Sequence, residues 1–116
     1  MTKVRFELKD GELAFSAKGH AEGPAERRGV SGRDIICAAA SILCYTLAQT
    51  VGFMDSDGQT EEKPLLSLSP GDCEIRIRPK PEFFAEAVHA FLVIENGFAL
   101  LSKNFKDKVT LSQLLT

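Results

Sequence analysis

The chain has 116 residues, the length of one domain, spanning 1–116. Its 44% hydrophobic and 26% charged residues are those of an ordinary globular protein, and a formal net charge of −2 lacks the basic excess of a dedicated nucleic-acid binder. Three cysteines, an odd number without CxxC spacing, exclude a complete disulfide framework.

Met1 to Phe6 has no apolar signal-peptide core. Its alternation of polar and apolar residues, continued to Leu8, predicts a half-buried strand over 3–8. Asp10-Gly11 is a hairpin signal, and Leu13 to Lys18 resumes the alternation as a second strand. Gly19 to Arg33, with Gly19, Gly23, Pro24, Gly29 and Gly32, reads as a loop. A helix follows from Asp34 to about Val51. Asp34 is the expected N-cap, although Ser31 with Asp34 resembles a capping box and moves the start three residues earlier. Gly52 is the expected C-cap. This run contains Ser41, Tyr45, Thr46 and Gln49, which makes it too polar, and it is slightly short, for a membrane span. A cytoplasmic protein with no membrane partner is expected.

Leu65 to Leu68 and Cys73 to Arg78 flank the turn Ser69-Pro70-Gly71-Asp72 as a second strand pair, with Cys73, Ile75 and Ile77 on one face. Pro79-Lys80-Pro81 breaks the chain. A second helix is predicted from about Pro81 to Lys103, with Phe84, Val88, Phe91, Ile94 and Phe98 as its apolar stripe. Gly97 inside it costs about 1 kcal/mol relative to alanine, which points to a close contact there. Lys108 to Leu111 reads as a last strand. The order ββαββαβ implies an α/β protein of the α+β type: two layers, a largely antiparallel sheet with both helices on one face.

The chemistry concentrates in His20 and Cys37. A cysteine in the first turn of a helix meets the positive end of the dipole, which favours thiolate over thiol. An imidazole beside it can take the thiol proton and return it to a leaving group. If Asp34 is the cap, Cys37 is the third helical residue, and amides of that first turn are candidate oxyanion donors. Each residue also has a plain structural reading. A helix cysteine is usually a small core residue. His89, on the second helix, is the competing histidine and reads as a surface or interface residue. Asp34 acts as a cap or orients His20. Ser41, one turn after Cys37, back-bonds to the Cys37 carbonyl or places a hydroxyl near the thiolate. Cys44 and Cys73 read as packed thiols, and Arg27 and Arg28 as solvated charges or substrate contacts. A redox pair of Cys37 and Cys44 fails on geometry, because seven helical residues span roughly 10 Å, beyond the roughly 7 Å reach of a disulfide. No metal site is expected, since the histidines and cysteines lack zinc-site spacing.

Gly19-His20-Ala21, followed by Gly32-Arg33-Asp34-Ile35-Ile36-Cys37-Ala38-Ala39-Ala40-Ser41, resembles the ribosomal-processing cysteine protease family called Prp. Gly97-Phe98-Ala99-Leu100-Leu101 and Phe105-Lys106-Asp107-Lys108-Val109 look like the family's last helix and strand. The resemblance implies a cysteine endopeptidase without cofactor. It would trim a short N-terminal extension from large-subunit ribosomal protein number twenty-seven, cutting after paired phenylalanines. It implies His20 as base, Cys37 as nucleophile, Gly19, Asp34 and Ser41 as supporting residues, and a homodimer. The segment between His20 and Cys37 is several residues longer than in typical members. The alternative reading is a non-catalytic, ribosome-associated binding module on the same fold.

Overall fold

The structure is a computed structural model that describes residues 1–19 and 32–115, with side chains outside 32–34. In chain order its elements are β1 (Thr2–Lys9), β2 (Glu12–Lys18), α1 (Gly32–Ser56), β3 (Leu65–Ser69), β4 (Asp72–Ile77), a 3-10 turn (Pro81–Phe83), α2 (Phe84–Asn104) and β5 (Val109–Gln113). The five strands form one sheet in the order β3-β4-β2-β1-β5. Three pairings are antiparallel, and β1 with β5 is parallel. The expected ββαββαβ order and largely antiparallel sheet are therefore observed. The β1–β2 turn needs left-handed backbone at Asp10 and Gly11, with φ of 52° and 81°, which explains the Asp-Gly pair.

Alternation decides which face is covered. Val4, Phe6, Leu13, Phe15, Ala17, Cys73, Ile75 and Ile77 are buried, and all belong to one core cluster with the inner faces of both helices. Lys3, Arg5, Lys18 and Arg76 alternate with them and are exposed. Phe6, Phe15 and Phe98 form an aromatic cluster at the centre, with ring centroids 4.9 to 6.3 Å apart. From α2 the buried set is Ala87, Phe91, Ile94, Glu95 and Phe98, while Phe84 and Val88 are only half-buried. Glu95 accepts the Leu115 amide at 2.6 Å, tying the end of the chain to α2.

The first helix takes the earlier of its two expected starts and departs from expectation at its C-terminal end. Gly32, Arg33 and Asp34 are helical, so Asp34 is the third residue of α1 and not its N-cap. The rest of the expected 19–33 loop, apart from Gly19, lies outside the described residues, as does Ser31. Gly52 does not end the helix either. Val51 and Met54 are both buried in the core, and that packing carries the helix past the glycine. The left-handed residue that follows the helix is Gly58, at φ 74°, where the Gln59 amide donates to the Met54 carbonyl at 2.9 Å. At 25 residues, α1 exceeds the length expected of it. By length and composition Ile35–Ser56 and Pro81–Asn104 are each apolar enough to cross a membrane. Each also contributes buried side chains to the core against the sheet.

Gly97 marks the crossing of the helices. A Cβ there would lie 2.7 Å from Leu43 Cδ2, so α1 and α2 pack closely at the glycine and a side chain there displaces the tip of Leu43. The contact is the tip of a flexible side chain. A single methyl is therefore offset by the roughly 1 kcal/mol of helix propensity it adds. A longer side chain has no such compensation. Gly97→Leu is expected to destabilise the protein by about 1–3 kcal/mol, and Gly97→Ala to be nearly neutral; urea midpoints at constant slope distinguish them.

Candidate active site

A cleft of about 80 Å³ opens where α1 passes over one end of the sheet. Its helical wall is Cys37, Ala40, Ser41, Cys44 and Tyr45. Its sheet wall is Thr2 from β1, Ala17 and Gly19 from the end of β2, and the β3–β4 hairpin from Leu68 to Cys73. Cys37 is half-buried, packed partly on the core and partly open to the cleft. The helical residues recur at steps of three and four, so one face of α1 supplies the wall.

Gly19 has a structural reason to be glycine. Its φ is 97°, and a Cβ would run into the Met1 carbonyl oxygen. Its amide donates to the Gly71 carbonyl at 2.8 Å, and its own carbonyl accepts from the Thr2 hydroxyl at 3.3 Å. Thr2 is itself buried, and its amide donates to the Lys108 carbonyl at 2.8 Å. Three strand ends therefore clamp the residue that precedes His20. His20 lies outside the described residues. His89 is exposed on α2 and is not among the residues lining the cleft.

Cys37 is the sixth residue of α1, not the third. An amide at that position is bonded within the helix, and the dipole's influence falls off within the first turn. The expected contribution of the helix terminus to the Cys37 thiolate is reduced accordingly. Asp34 sits within that first turn.

Ser41 lines the cleft one turn after Cys37, whereas Thr46 and Thr50 bond back to the Ile42 and Thr46 carbonyls at 2.6 and 2.8 Å. Cys44 and Cys73 form the floor. Both are buried thiols, as expected, and they meet each other across the helix–sheet interface. Their shared hydrogen bond, reinforced by burial, pushes the Cys44 thiol well above its usual range. The same bond draws Cys73 down, against the opposing effects of burial and Asp72. Cys44 thus keeps its proton.

The helical wall was anticipated from the sequence. The hairpin wall and Thr2 were not, because no motif links a Pro-Gly turn to a helix nearly thirty residues upstream.

The family model described as "Cysteine protease Prp" matches residues 1–110. The chain belongs to this family. It is a cysteine protease of the Prp type, and the fold agrees. The essential ribosomal processing protease Prp from S. aureus, in complex with a substrate peptide, matches with a TM-score of 0.65 and 21% identity, over 98% of this chain and 100% of that one. The same S. aureus protease with a covalently linked product peptide gives 0.64 and 22%, with the same coverage. SMU.848 from Streptococcus mutans gives 0.65 and 22%, over 98% and 94%. At these identities the likeness establishes the Prp fold. No curated protein sequence matches the chain.

Burial separates the three thiols. In native protein Cys37 should react with iodoacetamide at least tenfold faster than Cys44 or Cys73, and all three should react together in urea, as read by mass spectrometry of the alkylated peptides. Gly19→Ala should cost about 1–3 kcal/mol from backbone strain and lower kcat/KM as the clamp before His20 is lost.

Proposed function

We propose that this Prp-type protease is a ribosomal-protein-processing endopeptidase in which Cys37 is the nucleophile and His20 the base. The observation that carries the reading is the half-buried Cys37 thiol in a cleft that Gly19, the residue before His20, also lines. Family membership over residues 1–110 supports it, as does a fold shared with a protease solved with substrate and product peptides.

In this reading His20 takes the Cys37 proton. The thiolate attacks the scissile carbonyl, and the tetrahedral intermediate collapses to a thioester as His20 protonates the leaving amine. Water, deprotonated by the same imidazole, then hydrolyses the thioester and regenerates the thiol. Asp34 and Ser41 support the pair from either side of Cys37 along α1, Asp34 through the helix start and Ser41 from the cleft wall. The substrate is the N-terminal extension of large-subunit ribosomal protein number twenty-seven, cut after paired phenylalanines. The enzyme acts in the cytoplasm as a homodimer, without cofactor and without direct contact to nucleic acid. Ile35, Ile42 and Phe53 are exposed and recur at seven and eleven residues, near one line of α1, which supports association of two copies.

A peptide with two phenylalanines before a small residue tests the assignment. Wild type should cleave it, Cys37→Ala and His20→Ala should each lose at least a thousandfold in kcat/KM, and His89→Ala should stay within twofold. Stoichiometric binding without cleavage by wild type would instead indicate the non-catalytic binding module.

A further inference from the structure

We propose that the substrate is held by strand addition: an extended apolar segment beside the scissile bond pairs with the outer edge of β3 and sets its alternate side chains on Leu66 and Leu68. The proposal rests on the peptidase reading above and adds how the peptide is gripped.

β3 is the terminal strand of the sheet, and no strand among the described residues pairs with its outer side. Sheet edges are ordinarily blunted by charge, internal proline or a bulge, because an open edge invites another strand. β3 has none of these. Leu65-Leu66-Ser67-Leu68-Ser69 carries no charge, its prolines stand outside it at Pro64 and Pro70, and its register with β4 is unbroken. All five residues are exposed.

The register shows what the edge offers. Leu66 pairs with Ile75 and Leu68 with Cys73, both of which point into the core, so the two leucines face the helix side of the sheet. They are 41% and 42% exposed there, beyond the cover of α1. The hairpin closes through the two residues Pro70 and Gly71, which makes Ser69 and Asp72 the hydrogen-bonded closing pair. Alternation from that pair turns the backbone N–H and C=O of Leu66 and Leu68 outward. The same two residues therefore present both the open hydrogen-bonding groups and the apolar side chains, as strand-addition sites do.

Continuity with the cleft selects the occupant. Leu68, Ser69 and Pro70 line the cleft that holds Cys37. At about 3.3 Å per residue, a strand laid along β3 passes from Leu66 to the cleft within roughly 10 Å. The cleft's 80 Å³ is well under the roughly 300–1,000 Å³ of ordinary ligand pockets, so it takes the atoms around one bond, not a length of peptide. The flanking residues need a second surface, and this edge adjoins the cleft directly. A peptide so bound is read at every second residue, with apolar side chains favoured on the leucine side.

Two experiments use the diphenylalanine peptide. Leu66→Pro deletes an outward amide and leaves the bonding of β3 to β4 intact. It should raise KM at least fivefold with kcat within twofold, its melting temperature confirming the fold. Independently, a series of peptides with one N-methyl group at successive positions, assayed with wild type, should show KM rising at alternate positions. Unchanged KM for folded Leu66→Pro, or an N-methyl series without alternation, overturns the proposal. Loss of dimer mass in Leu66→Pro with unchanged KM assigns the edge to a second copy and also overturns it. If wild type leaves the peptide uncut, the proposed substrate falls. Strand addition is then decided by amide exchange on Cys37→Ala with the same peptide. At least tenfold protection of Leu66 and Leu68 supports it, and no protection overturns it.

Discussion

The contact between α1 and the sheet through Cys44 and Cys73 is the constraint on which the site depends. The sheet has one apolar face, so both helices must lie on it: α2 sets Phe98 against Phe6 and Phe15, and α1 lies over β4 beside Cys73. Cys44 seats against Cys73 there. Cys37 is two turns nearer the helix start, about 10 Å along the axis, on the same face. Anchoring one cysteine in the core thereby carries the other to the sheet's end. There it meets the cleft formed by Thr2, Gly19 and the β3–β4 hairpin. The buried thiol pair acts as a small, well-packed spacer.

The protease site therefore combines a rigid half and a clamped half. The rigid half is the helix, one face of which carries half-buried Cys37, exposed Ser41 and buried Cys44 in one row. The clamped half is Gly19, with a left-handed backbone bonded to the β4 turn and to Thr2. A glycine is required because the Met1 carbonyl occupies the space of a side chain. This gives a physical reason for a glycine immediately before the histidine, which the motif states but does not explain. The same geometry places Cys37 beyond the first helical turn, where the helix dipole acts most strongly.

Much of the architecture was legible in the sequence. Period-two alternation identified the strands, Asp10-Gly11 and Pro70-Gly71 located the turns, and three- and four-residue spacing located α2. Gly97 was legible as a close contact, and Leu43 supplies its partner. The start of α1 at Gly32 fits the earlier of its two expected starts. Its end was misplaced because the cap signal at Gly52 was weighed without the core packing of Val51 and Met54 that carries the helix further. The parallel pairing of β1 with β5 was also not foreseen, because strand partners far apart in sequence leave no local signature.

By itself the sequence determined the strand and helix order and the single buried face, because periodicity is a local property of the chain, and a contiguous motif singled out His20 and Cys37 as candidates. Only the tertiary structure decided which described residues surround Cys37, that Cys44 meets Cys73, that Gly19 is locked by Met1 and Gly71, and that no described strand pairs with the outer side of β3 beside the cleft. Those facts come from contacts between segments seventeen to about fifty residues apart. Such contacts are set by how one-sided layers must stack to bury their apolar faces, and no short stretch of sequence records them.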